Sequence, residues 1–139
     1  MNLCILVTHL LGTGHLRRAA VLGRAAAQAG ARVTILSGGM PVEALDIGGA
    51  ELVQLPPLRS DGVNFTTLLD ADDAIANDLY KQNRIALIRE TIAASRPDVL
   101  LTELYPFGRR VLADEFRAAI ETARALPRPA AVVSSIRDI

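Results

Sequence analysis

Apolar residues along this chain fall into two kinds of pattern. Five short runs are nearly continuous: Leu3–Val7, Val33–Leu36, Glu51–Leu55, Val99–Thr102 and Ala130–Ser134. Continuous runs of this length, without polar alternation, predict parallel strands buried on both faces. The segments between them carry helical spacing instead. In the first, Leu16, Ala19, Ala20, Gly23, Ala26, Ala27 and Gly30 lie on one stripe, and Arg17, Arg24 and Gln28 on another. Gly30 is placed to stop that helix. A short helix is predicted over Pro41–Ile47, with Pro41 in its first turn. A longer one is predicted over Asp72–Ser95, with Ile85, Ile88 and Ile92 on one side and Asp70, Asp72 and Asp73 at its start. A final helix is predicted over Arg109–Leu126, closed by Pro127 and Pro129.

Strands alternating with helices predict an α/β fold, a doubly wound parallel sheet of the Rossmann-like kind. The segment Pro56–Leu69 breaks the rhythm as a loop of about 12–15 residues, a length at which loops commonly carry function. The chain stops at Ser135-Ile136-Arg137-Asp138-Ile139, directly after a strand. A longer protein is therefore expected, with residues 1–139 as its N-terminal domain.

Composition narrows the class. The 139 residues are enough for one domain with a real core. Half are hydrophobic but only 4% aromatic, so Ala, Leu, Ile and Val must build that core. Fifteen basic and fifteen acidic residues cancel, which argues against nonspecific binding of nucleic acid. Cys4 is the single cysteine, which excludes an internal disulfide and a cysteine-rich metal site. No apolar run reaches membrane-spanning length and the first residues do not form a signal peptide, so a cytoplasmic protein is expected. Peripheral contact with a membrane surface is compatible with this composition.

The chemistry gathers at strand ends, where open parallel sheets bind ligands. After the first run comes Gly12-Thr13-Gly14-His15-Leu16-Arg17-Arg18. A glycine-rich turn opening a helix lets backbone N–H groups approach an anion, and a histidine there can move a proton near neutral pH. His15 is the candidate general base; His9 also follows the first strand, ahead of two leucines that suggest an inward-facing side chain. Arg17 and Arg18 oppose the helix dipole, which points to an anionic ligand or, for Arg17 especially, to a solvated surface charge. Gly38 and Gly39 follow the second strand. Glu103 ends the fourth, as an active-edge carboxylate or as the partner of Arg109 or Arg110. Ser135, Arg137 and Asp138 follow the fifth. A dinucleotide fingerprint is disfavoured, because Arg17 stands where a third glycine is needed and no acid ends the second strand. No Walker A lysine pattern is present either.

Leu11-Gly12-Thr13-Gly14-His15, the Ala-rich segment after it, and Gly30-Ala31-Arg32-Val33-Thr34-Ile35-Leu36-Ser37-Gly38 resemble the N-terminal domain of GT-B glycosyltransferases, MurG-like transferases in particular. Thr102 to Arg109, Thr-Glu-Leu-Tyr-Pro-Phe-Gly-Arg, resembles a stretch in predicted bacterial glycosyltransferases. The spacing of Gly12, Gly14, His15 and Arg18 is also similar to that of the UDP-sugar hydrolase of pseudaminic acid synthesis.

The resemblance implies an acceptor-side domain facing a donor-binding domain outside these residues. It implies inverting, metal-independent sugar transfer, with His15 as base. The alternatives are a hydrolase that activates water with the same histidine and a noncatalytic sugar-nucleotide module. The candidate catalytic residues are His15 and Glu103. The candidate substrate-binding residues are Gly12, Thr13, Gly14, Arg18, Gly38, Gly39, Arg109 and Ser135. No metal and no cofactor is expected, the nucleotide sugar being a co-substrate. The expected partners are that nucleotide sugar and a small-molecule or lipid-linked acceptor.

Overall fold

A computed structural model describes residues 1–64 and 66–136. Its elements run β1 (Asn2–Val7), α1 (Gly14–Gln28), β2 (Arg32–Ser37), β3 (Glu51–Gln54), β4 (Arg59–Ser60), β5 (Leu68–Leu69), α2 (Asp78–Ser95), β6 (Val99–Glu103), a 3-10 turn (Arg110–Leu112), α3 (Ala113–Arg124) and β7 (Ala131–Ser135). All five apolar runs are strands of one sheet, in the order β3-β2-β1-β6-β7, every pair parallel. The chain steps outward from β1 to β3, then returns to the other side of β1 for β6 and β7. That reversal is the doubly wound pattern.

The period of two along each strand sorts the core into two layers. Leu3, Ile5, Val7, Val33 and Ile35 pack beneath Leu16 and Ala19 of α1. Cys4, Leu6, Leu36 and Leu100 face Ile88 and Ile92 of α2 and Phe116, Ala119 and Ala123 of α3. Small residues on α1 permit its close approach. A Cβ at Gly23 would meet the Ile35 side chain at 3.0 Å. Gly30, at φ +98°, makes the left-handed turn after the helix. Burial pushes the Cys4 thiol up to about 12, as suits an inert core residue.

The structure corrects several element boundaries. No helix forms over Pro41–Ile47; residues 41–50 cross from β2 to β3 as an irregular strap. The Asp46 carboxylate accepts from the Gly48 N–H at 3.0 Å and from Arg24 at 2.9 Å, a local turn that competes with helix formation. The apolar spacing is still used, since Val42, Leu45 and Ile47 pack on the α1-side core. The helix predicted from Asp72 starts at Asp78, and Asn77 caps it by accepting from the Tyr80 N–H at 2.8 Å. Asp70 instead closes a turn, accepting from the N–H groups of Asp72 and Ala74. The last helix begins with the 3-10 turn and ends at Arg124. Within Pro56–Leu69, β4 and β5 contribute two residues each to an antiparallel pair.

Candidate functional site at the switch between β1 and β6

Crossovers leave β1 and β6 in opposite directions, and open parallel sheets bind ligands outside such a switch between neighbouring strand ends. His15 and Glu103 meet there. His15 lies in the first turn of α1, and Glu103 is the last residue of β6. His15 Nδ1 is 3.2 Å from Glu103 Oε1. Glu103 is only 2% exposed, whereas His15 keeps 22% of its side-chain surface open. A carboxylate can only accept, so Nδ1 carries the proton and Nε2 is left as the basic nitrogen. Arg18, one turn along α1, stands 3.8 Å from the same Glu103 oxygen and donates to the Ile136 carbonyl at 2.6 Å. Glu103 Oε2 and Arg18 Nη1 are buried without a hydrogen-bond partner among the described residues.

The turn after β6 holds the carboxylate in place. Leu104 adopts φ 67°, a costly conformation for a branched side chain, and its N–H donates to the Ser135 carbonyl at 2.9 Å. The Thr102 and Ser134 hydroxyls both donate to the Tyr105 carbonyl, at 2.8 and 2.7 Å. The Tyr105 ring then stacks on Phe116, centroids 4.8 Å apart. Glu103 is thus fixed to β7 and to α3 by its immediate successors.

The glycine turn ahead of α1 is open. Gly12 takes φ +64° with nothing within 4 Å of where a Cβ would stand. Thr13 gives the helix no side-chain cap, and its first turn contains no acid. The Thr13 hydroxyl instead accepts from Arg17 Nε at 3.0 Å, which makes Arg17 a surface charge. The first amides of α1 are left without a side-chain partner, the arrangement that favours an anion.

Other expected site residues sit differently. Arg109 and Arg110 do not pair with Glu103, whose partners are His15 and Arg18. Arg109 Nε donates to the Thr8 carbonyl at 2.8 Å. Burial draws its guanidinium below the ordinary value, and Glu103 pulls it back up. Gly38 and Gly39 are buried, and their missing side chains serve packing. A Cβ on Gly38 would strike Thr8 and Arg84, and one on Gly39 would strike His9. Ser135 is paired with Glu103 in the strand ladder. His9 is 5% exposed, and burial holds its imidazole below the ordinary histidine value. Arg137 and Asp138 lie outside the described residues.

Sequence reasoning missed the most heavily bonded ion pair. Arg84, wholly buried on α2, donates from Nε and Nη2 to both oxygens of Glu115 on α3, at 2.9 and 2.7 Å. Its Nη1 donates to the Gly38 and Pro56 carbonyls, tying the ends of β2 and β3 to the helices. The signal was available: residues 84, 88 and 92 share one helical face, and 88 and 92 are isoleucines. Among the described residues, no group of three His, Cys, Asp or Glu side chains is placed to hold a metal ion. No helix among them is long and apolar enough to cross a membrane.

No protein-family model matches this chain, and no curated protein matches it in sequence. Its fold does match solved structures of GT-B glycosyltransferases. It is similar to MurG of Acinetobacter baumannii, with a TM-score of 0.57 and 16% identity over 96% of this chain and 34% of that one. It is similar to UGT2 of Phytolacca americana, with a TM-score of 0.57 and 16% identity over 99% of this chain and 30% of the other. UGT2 has also been solved with UDP-2-fluoro-glucose and pterostilbene. Similarity to CalG4, the calicheamicin glycosyltransferase, gives a TM-score of 0.52 and 17% identity, over 95% of this chain and 32% of CalG4. The chain spans about a third of the length of these proteins. The shared feature is the α/β Rossmann-like fold.

Proposed function

We propose that residues 1–139 form the acceptor-side domain of an inverting, metal-independent glycosyltransferase that uses a nucleotide-sugar donor. The observation that carries this reading is the contact between His15 Nδ1 and the buried Glu103 carboxylate at the β1–β6 switch. Glu103 holds one tautomer of the imidazole and stabilises the imidazolium that forms when Nε2 takes a proton. The acceptor hydroxyl, losing that proton to His15, attacks the anomeric carbon as the bond to the nucleotide diphosphate breaks. Configuration at that carbon inverts, and the leaving diphosphate keeps the bonding electron pair. Gly12, Thr13 and Gly14 give the acceptor room beside the unfilled amides of α1. The likeness of fold to MurG, UGT2 and CalG4 supports the reading, as does UDP-2-fluoro-glucose bound to UGT2.

The test is sugar transfer by this chain joined to its donor-binding domain. His15→Ala should lower turnover by about 10²–10⁴-fold, the usual worth of a positioned base. Unchanged turnover removes His15 from the mechanism. Release of free sugar with no dependence on added acceptor would assign a hydrolase instead. Transfer by the 139 residues alone would refute the division into two domains.

A further inference from the structure

A cavity of about 230 Å³ lies on the α1 face of the sheet, under the strap that replaced the expected 41–47 helix. Its walls are Leu16, Val42, Leu45 and Leu52, and Ser37 and Gln54 contribute the polar groups. None of its lining residues is charged. Ser37 is completely buried, and its hydroxyl has no hydrogen-bond partner among the described residues. A buried hydroxyl left unpaired costs free energy, so such a group calls for an explanation. Gln54 sharpens the chemistry. Its amide nitrogen faces the carbonyls of Ser37, Gly39 and Leu55 at 3.1, 2.7 and 2.9 Å. That orients the carboxamide and leaves its oxygen as an acceptor.

We propose that this cavity is a binding site for a small, neutral, largely apolar alcohol or phenol. The ligand's ring or short alkyl body would fill the aliphatic walls, and its hydroxyl would pair with the Ser37 hydroxyl and the Gln54 oxygen. The absence of charge disfavours an acid or amine, which would lose its hydration without a counter-ion. The volume falls below the roughly 300–1,000 Å³ of sites for drug-sized molecules, which limits the body to about one ring. Leu16 directly follows His15, so an occupant rests on the same helical turn that carries the proposed base. The site needs no sugar transfer to be tested, and its fate is separate from that reading.

The experiment is a two-dimensional amide NMR titration of the 139-residue chain with cyclohexanol, methylcyclohexane and benzoate as probes. Cyclohexanol should give saturable shifts centred on the amides of Leu16, Ser37 and Leu52. Ser37→Ala should weaken cyclohexanol by about fivefold to tenfold, the worth of one neutral hydrogen bond, and leave methylcyclohexane unaffected. Leu45→Trp, at a partly exposed position, should fill the space and abolish both responses while the rest of the spectrum stays native. No saturable shifts at those amides, equal binding by the Leu45→Trp chain, or benzoate binding as tightly as cyclohexanol would each overturn the proposal.

Discussion

Two buried glutamates near the carboxyl ends of the sheet strands are satisfied in opposite ways. Glu115 is 4% exposed, and both its oxygens are taken by Arg84, whose remaining nitrogen, Nη1, donates to two backbone carbonyls. Glu103 is 2% exposed, holds His15 through one oxygen, and has no hydrogen-bond partner among the described residues for the other. The first arrangement is complete and has nothing left to offer a ligand. The second is incomplete, and its partners, His15 and Arg18, keep a share of their surface open. Burial of charge alone therefore does not single out a candidate site; unfilled bonding capacity next to an accessible titratable group is what the proposed function rests on.

This contrast can be broken most forcefully at Arg84. Arg84→Met should cost about 3–5 kcal/mol in chemical denaturation, because it strands the Glu115 charge in the interior. Adding Glu115→Leu should recover most of that loss, since a buried pair and an apolar replacement of similar volume are often close in stability. If the single and double variants unfold alike, the pair is not what makes Arg84 costly to remove.

A second break comes from crowding the same clamp. Gly38→Ala sets a methyl group against Thr8 and the Arg84 guanidinium, and overpacking of this kind costs about 1–3 kcal/mol. Equal stability to the parent chain, by the same denaturation, would show that Thr8 and the Arg84 guanidinium give way freely.

Glu103→Gln sharpens the other side of the comparison. With one oxygen unpartnered among the described residues, its neutralisation should change stability by no more than about 1 kcal/mol, near the net worth of one hydrogen bond. In the proposed reaction the same change should lower turnover, because an amide cannot stabilise the imidazolium of His15. A loss of stability as large as that of Arg84→Met would make Glu103 a structural anchor instead.

The smallest expected effect concerns pH and His9. Burial sets its folded-state pKa below the unfolded value of 6.5, so the neutral ring is the folded form. Above pH 6.5 both states are neutral and nothing is lost. As pH falls below 6.5 the unfolded chain takes up a proton that the folded one refuses, and stability drops until the folded pKa is passed. His9→Gln should flatten that part of the stability profile. A profile with the same slope through this window would assign it to other groups.

Much of the molecule was legible in order of residues alone. The central strands β1, β2 and β6 could be read because a strand covered on both faces must be apolar throughout, and the first helix because its small residues recur with helical period. β3 and β7 were expected to be equally buried, but as edge strands they leave most of their residues partly or fully exposed. Gly12, His15 and Glu103 could be placed at one sheet edge because a parallel sheet sends all its strand ends the same way. The strap at 41–50 was misread because Val42, Leu45 and Ile47 mimic helical spacing, while the turn made by Asp46 and Gly48 decides the backbone locally. The aspartates before α2 were misread because several residues there could cap, and only folding chose Asn77.

The chain order by itself determined the layered α/β architecture and the set of groups at the carboxyl ends of its strands, since periodicity and turn chemistry act over a few residues. Tertiary structure alone decided which of those groups meet. Glu103 turned to His15 and Arg18 instead of its sequence neighbours Arg109 and Arg110, because the parallel pairing of β1 with β6 brings the start of α1 beside the end of β6. Arg84 found Glu115 for the same reason: a buried charge takes the counter-charge that packing sets against it, and sequence distance has no part in that choice.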